Sequence, residues 1–429
     1  MGLISRRARS LSVLLITAAA ALASACASTD SAKSARCTRV NDEVSACLGK
    51  GAPLFDCGTV SDADLSAAEA LATGPACQLA AEAPIDGDSQ SASCHLYGID
   101  CVRSIQAPPA STPARYPVIL VNGIDTSPLF RWSARIQDVL RAQGNTVFLA
   151  TLTPYQSTLK RAPLLALRID EVLKQTGATK VNLVCHSLGG LDCRYVASAG
   201  GLAADQGADA AAWSSKIASV TTVGTAHHGT RVADVALGLV PGTDAEAAVN
   251  TLTSVLGDWF GSAPQVTDSD VRAAMQALGT SQMKAFNADV TDAAGVYYQS
   301  FAGFSRKDGA ATPAHDAKIR ASCTPTTKAK DAKDGDGLTL FRAHDRLALP
   351  LVPLYALAGG GEADVDLAAP NDGLVTIDSA AWTNFRGCIP ADHIEQLGQY
   401  NLPAVNVRTG VDVAWFYASI TADLAARGL

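Results

Sequence analysis

From residue 116 onward the chain alternates short unbroken apolar runs with longer stretches in which apolar positions recur every three or four residues. Val118-Ile119-Leu120-Val121, ending in Asn122-Gly123, has the pattern of a strand buried on both faces. Arg131 to Ala142 predicts a helix and Asn145 to Ala150 a strand. Leu159 to Gln175 predicts a helix closed by Gly177, with Pro163 tolerated because it falls near the start. Lys180 to Val184 reads as a strand, Gly189 to Ala199 as a helix before Gly200-Gly201, and Ile217 to Val223 as a further strand. Strands alternating with helices imply βαβ units, hence an α/β fold with a mostly parallel sheet and helices on both faces. Ligands of such sheets gather at the carboxyl ends of the strands.

The pattern before residue 116 differs. Arg6, Arg7 and Arg9 precede an apolar run from Leu11 to Leu22 and the small residues Ala23-Ser24-Ala25, which predicts a signal peptide over 1–27. A bilayer span needs about 20 apolar residues, and this run is shorter. Ala23-Ser24-Ala25-Cys26 resembles a lipoprotein signal with Cys26 as the acylated first residue, although Ala23 stands where Leu is usual. Cleavage after Ala25-Cys26-Ala27 is the alternative. Both predict export, either secreted or lipid-anchored through Cys26. Residues 28–103 form a cysteine-rich segment with few large aliphatic runs, residues 104–115 a linker containing Pro108, Pro109 and Pro113, and residues 116–429 the large domain.

Composition narrows the classes. Of 429 residues 48% are hydrophobic and 17% charged, which excludes a disordered chain. The net charge of −7 and the lack of a basic run argue against nucleic acid as a partner. Setting Cys26 aside, the 11 cysteines leave ten, enough for five bridges in an oxidising compartment. Cys37, Cys47, Cys57, Cys77, Cys94 and Cys101 crowd the N-terminal segment, where six cysteines allow 15 pairings. A zinc site is the competing reading, but no C-x-x-C pair occurs and His95 is the only local histidine.

The strongest chemical signal is Val181-Asn182-Leu183-Val184-Cys185-His186-Ser187-Leu188-Gly189-Gly190. A strand ends, a serine follows and a helix opens on glycines: a sharp turn there lifts the Ser187 hydroxyl above the sheet as a nucleophile. The Leu188 N–H at the helix start then faces the oxyanion formed on attack. Cys185 replaces the usual first glycine of this motif. A nucleophilic serine needs a base, and the base an acid that fixes its tautomer, in the order Ser, acid, His. Asn371-Asp372-Gly373-Leu374-Val375 puts Asp372 in a tight loop, and of the seven histidines only His393 follows an acid loop in the right order. Alone, an Asp-Gly is an ordinary turn and a histidine an ordinary surface or core group; three in order on an α/β pattern point to catalysis. Ile124, after Asn122-Gly123, fits the second oxyanion donor, against the alternative of a plain Asn-Gly turn.

From Tyr116 to about Pro403 the chain resembles the secreted bacterial triacylglycerol lipases of the α/β-hydrolase superfamily, the foldase-dependent true lipases. The resemblance rests on Tyr116 to Gly123 (Asn122 replacing the usual His), on Lys180 to Gly190, and on Val223-Gly224-Thr225-Ala226-His227-His228-Gly229-Thr230. It also rests on Asn371 to Val375 and on His393-Ile394-Glu395. It implies Ser187 as nucleophile, Asp372 as acid and His393 as base, a lipid or ester substrate, a lipid surface and a foldase as candidate partners, and no redox or organic cofactor. The family holds a structural calcium partly through an Asp two residues after the catalytic His. Glu395 stands there, no second carboxylate ligand aligns between Cys323 and Asp372, and calcium stays open; Asp334-Gly335-Asp336-Gly337 in that stretch has the composition of a solvated turn. In these lipases the region matching 233–286 is a lid; here its apolar pieces, with Trp259-Phe260, read as a lid or as the core helix of a cap. The resemblance favours a Cys323–Cys388 bridge. A Cys185–Cys193 bridge is geometrically conceivable, two buried thiols being the alternative. The expected function is serine ester hydrolysis of lipids. The alternatives are a short-chain, polyester or phospholipid esterase, or a non-catalytic surface binding protein on the same scaffold.

Overall fold

The computed structural model describes residues 31–42, 57, 112–126, 130–242, 270–305, 313–323, 347, 351–361, 367–399, 405–406 and 411–429. The expected signal peptide, Cys47, Cys77, Cys94, Cys101, most of the linker, Trp259-Phe260 and the Asp334 to Gly337 stretch lie outside the described residues. The chain divides into compact units of residues 1–84 and 85–429. In the first, a helix over 31–42 buries Cys37 and Val40, and Cys37 is bonded to Cys57. Among the described residues no helix is long and apolar enough to cross a membrane.

The second unit is built on β1 (Val118–Val121), α1 (Ala134–Ala142), β2 (Val147–Ala150), α2 (Thr158–Thr176), β3 (Val181–His186), α3 (Leu188–Ala197) and β4 (Ile217–Val223). There follow α4 (Arg231–Ala236), α5 (Val271–Leu278), α6 (Thr280–Asp289), β5 (Tyr297–Gly303), α7 (Pro313–Ser322), α8 (Val352–Ala358), α9 (Ile377–Ala380) and β6 (Phe385–Ile389). A two-residue hairpin, β7 (Val405–Asn406) with β8 (Val411–Asp412), leads into α10 (Val413–Ala426). The main sheet has the order β2-β1-β3-β4-β5-β6, and every pair in it is parallel. Parallel pairing demands crossovers, and α1, α2 and α3 supply them between the first strands. Alternation along β1 divides the core. Val118 and Leu120 pack with Ile136 and Leu140 of α1 and Phe416 and Tyr417 of α10. Ile119 and Val121 pack on the other face with Leu165 and Ile169 of α2 and Cys193 and Val196 of α3. With both faces covered, β1 is an unbroken apolar run, as the sequence pattern predicted.

The predicted elements up to residue 223 are all present, with ends shifted by a few residues. Ser133 caps α1, its hydroxyl accepting from Ile136 N–H, which starts that helix three residues later than expected. Gly177 ends α2 in the left-handed conformation, φ +70°. The register places Val121 beside Cys185 and His186 beside Val223, so the segments after β1, β3 and β4 leave the sheet at one edge. The loop after β6, paired through Gly303 to Ile389, leaves at that edge as well. The expected cover at 233–286 is described at its two ends only; residues 243–269 lie outside the described residues. Ala233, Val235, Met275, Leu278 and Met283 at those ends are buried, and Asp234 accepts from both the N–H and the hydroxyl of Thr280.

Candidate active site

Ser187 lies between β3 and α3 with φ +53° and ψ −131°, a backbone region that costs a non-glycine residue energy and is kept where the surroundings enforce it. The enforcement is visible. Ser187 N–H donates to the Val223 carbonyl, and the Ser187 carbonyl accepts from the Thr225 hydroxyl at 2.8 Å. Gly189 and Gly190 let the helix approach: a Cβ on Gly189 would lie 2.4 Å from the Asn122 carbonyl oxygen, and one on Gly190 2.1 Å from Thr225 Oγ1. Cys185, where the motif usually has glycine, is bonded to Cys193 in the second turn of α3, so a covalent tie spans the turn that carries Ser187. The bridge, not the pair of thiols, is present. Cys323 is bonded to Cys388 at the end of β6.

Three loops converge on the serine. Ser187 Oγ is 2.8 Å from His393 Nε2, and His393 Nδ1 is 2.8 Å from Asp372 Oδ2. Asp372 is held by its own turn, Oδ1 accepting from the N–H groups of Leu374 and Val375, while its carbonyl accepts the His393 N–H. The turn needs Gly373, whose φ is +97° and whose absent Cβ would press on Leu347 and Leu351 at 2.9 Å. The histidine's loop is braced reciprocally: Asp392 Oδ1 accepts from Ile394 and Glu395 N–H, and Glu395 Oε2 accepts from Asp392 N–H. Glu395, which stands where the resembling family has a calcium-ligating Asp, here accepts through Oε2 from the Asp392 N–H. Among the described residues no group of three or more His, Cys, Asp or Glu side chains is arranged to hold a metal ion.

Ile124 and Leu188, the expected oxyanion donors, flank the serine. Leu188 opens α3, and Gly123, just before Ile124, lies so close that a Cβ there would be 2.9 Å from Ser187 Cβ. The loop carrying Ile124 is clamped by residues that sequence reasoning missed. Arg161 on α2, wholly buried, donates through Nη2 to the carbonyls of Asn122 (3.0 Å) and Gly123 (2.7 Å), and pairs through Nε with Asp192 on α3 at 2.8 Å. A peptide unit's C=O and N–H point oppositely, so holding the Gly123 carbonyl aims the Ile124 N–H the other way. Burial raises the Asp192 carboxyl and the guanidinium counteracts it. Asn122 Oδ1 accepts from Leu152 N–H, and Tyr155, at φ +50°, donates its N–H to the Ile124 carbonyl. The signal for Arg161 was available: a charge on the apolar stripe formed by Ala162, Leu165 and Ile169.

Three other described histidines, His186, His227 and His315, are buried outside the Ser187–His393–Asp372 line. His186 is buried against the His393 ring, centroids 4.6 Å apart, and burial, then the charge of His393, lowers its pKa well below the usual imidazole value. His227 contacts Thr222 Oγ1 and Arg194 Nη1 and is lowered in the same way, mainly by burial. His315 is buried beside the Tyr355 hydroxyl.

A parallel sheet with helices on both faces, and a serine raised on a strained strand-to-helix turn at its carboxyl edge, defines the α/β-hydrolase fold. The chain is 36% identical over 203 residues to a triacylglycerol lipase of Burkholderia plantarii, covering 44% of this chain and 52% of that protein. It is 37% identical over 184 residues to a triacylglycerol lipase of Pseudarthrobacter phenanthrenivorans, covering 40% and 53%. The chain thus spans about half the length of these curated relatives. Among solved structures it is similar to a Staphylococcus hyicus lipase (TM-score 0.45, 17% identity, 75% of this chain and 98% of that one). It is also similar to a metagenomic carboxyl esterase (TM-score 0.47, 16% identity, 75% and 78%). No family model matches the chain.

Proposed function

We propose that this chain is an exported serine hydrolase that cleaves carboxylic esters of lipids through an acyl-enzyme. The observation that carries the reading is the unbroken line from Ser187 Oγ through His393 to Asp372, 2.8 Å at each step, beneath a serine held in a strained turn. Ser187 Oγ attacks the acyl carbon as His393 Nε2 takes its proton, and Asp372 holds the imidazolium. The N–H groups of Ile124 and Leu188 receive the oxyanion. Collapse expels the alcohol, protonated by His393; water, activated by the same imidazole, then attacks the acyl carbon and releases the acid. The steps use only these side chains and backbone groups, with no redox or organic cofactor.

The similarity to triacylglycerol lipases supports a lipid ester as substrate. Three disulfides among the described residues, together with the N-terminal pattern, support export to an oxidising compartment. Secretion or lipid anchoring through Cys26 follows from which cleavage occurs, and intact-mass measurement of the mature protein separates them. Ser187→Ala should lower hydrolysis of p-nitrophenyl esters by about 10⁴-fold or more while leaving the fold intact. Near-parental turnover in the folded variant would overturn the mechanism and favour a binding protein. A series of acyl lengths distinguishes a lipase, most active on long chains, from a short-chain esterase.

A further inference from the structure

Gln396, one turn beyond His393 in the short helical turn Glu395–Leu397, takes part in no step above, yet it is wholly buried behind the triad. Its Nε2 donates at 2.8 Å to Asp372 Oδ2, the same oxygen that receives His393 Nδ1. The Gln396 carbonyl accepts from the Tyr417 hydroxyl on α10, which fixes the residue from the core side. Two glycines make room for the amide. A Cβ on Gly303 would lie 1.9 Å from Nε2, and one on Gly224 would lie 2.2 Å from Oε1. Oε1 has no well-formed hydrogen bond and lies towards His186, whose ring packs on His393. The ionisable groups around this amide and the triad are Asp372, His186 at the end of β3, Tyr417 on α10, and Asp392 and Glu395 on the histidine's own loop. A neutral donor in this place stabilises the charged carboxylate and limits its swing without adding a charge beside His393.

Resting on the hydrolase reading above, we propose that Gln396 is a positioning residue of the triad, a neutral amide that holds Asp372 Oδ2 in line with His393 Nδ1. A carboxylic acid could replace it as donor only while protonated. Like charge from Asp372, and burial, favour that protonated form; ionisation removes the donor and sets two carboxylates against each other.

The test measures kcat and KM for a soluble p-nitrophenyl ester across pH on the full chain, with competent sites counted by titration with an organophosphorus ester. Gln396→Met should lower kcat per titrated site about ten-fold, the size of one charge-assisted hydrogen bond, with KM within about two-fold. Gln396→Asn keeps an amide but falls one methylene short of Asp372 and should match it. Gln396→Glu should approach the parental rate at the acid end and fall relative to the parent at the alkaline end. Parental kcat per site in Gln396→Met and Gln396→Asn, or a Gln396→Glu profile parallel to the parent's, would overturn the proposal. Counting sites keeps poorly folded molecules out of the rate. Ser187→Ala serves as the separate control: if it hydrolyses the ester like the parent, the hydrolase reading fails, whatever the Gln396 variants do.

Discussion

Arg161 and Asp192 meet 2.8 Å apart with both side chains fully buried, and a charge so placed is costly to orphan. Arg161→Met should lower the unfolding free energy by about 3–5 kcal/mol in urea titrations. The double variant Arg161→Met with Asp192→Leu should regain most of that stability but not the rate. The Asn122 and Gly123 carbonyls would still lack their clamp, and kcat should stay about ten-fold or more below the parent. Full recovery of both would show that the pair does not hold the oxyanion loop. The buried imidazoles of His186 and His227 carry a second expectation. Their folded pKa values lie below that of the unfolded chain, so on acidification the unfolded state takes up protons first. Stability is therefore complete above about pH 6.5 and falls below it by about 1.4 kcal/mol per pH unit for each group. Melting curves from pH 8 to 5 should show the decline, and His227→Asn should make it shallower. At this scale Ser187, Asp372 and His393 were legible because their order and local turns are written in adjacent letters. Tyr155 and Gln396 were not, and the charge of Arg161 on an apolar stripe signalled burial without a role, because the partners of all three are backbone groups and side chains brought near only by folding.

The elements that the sequence made legible are those with one dominant pattern: β1, β3 and β4 as apolar runs, α1 and α2 as stripes with terminators. Later elements blur it. β5, Tyr297–Gly303, interleaves Gln299 and Ser300, both buried and hydrogen-bonded to neighbouring segments, so it lacks an apolar run. β6 contains Arg386 and a glycine at φ +114°. α10 packs beside α1 in the core on the same face of the sheet and buries residues around most of its circumference, and so shows no stripe. The two disulfides tie these elements very differently. Cys323–Cys388 closes 65 residues and Cys185–Cys193 closes eight, so loop entropy ranks their removal at about 4 and about 2.5 kcal/mol. Paired alanine variants in urea should follow that order. The Cys185→Ala/Cys193→Ala pair should, in addition, lose kcat out of proportion to stability, since its bridge spans the turn that lifts Ser187. Loss confined to stability would make the bridge a fastener only.

The loops that carry Ile124, Ser187 and His393 all leave one edge of one sheet, and that placement follows from parallel strands whose loops exit together. If 233–286 works as a lid, the rate on an emulsified ester should rise beyond the solubility limit of its monomer, and simple saturation through that limit would remove the lid reading. The described ends of that region are anchored through Asp234 and Thr280, so Asp234→Ala should loosen them and lower the melting temperature without a new substrate preference. The elbow's bridge bears on when in its life the protein can act. A bond between residues 185 and 193 forms only where an oxidant is available, so chains still in a reducing cytosol would carry the nucleophile on an unfastened hinge. On the proposed function, synthesis and competence would then be separated in space, and the cell making the enzyme would be shielded from its activity until export. Protein trapped from a reducing cytosol and alkylated at once should show free thiols at both positions and a lower rate per serine, and oxidation in vitro should restore that rate.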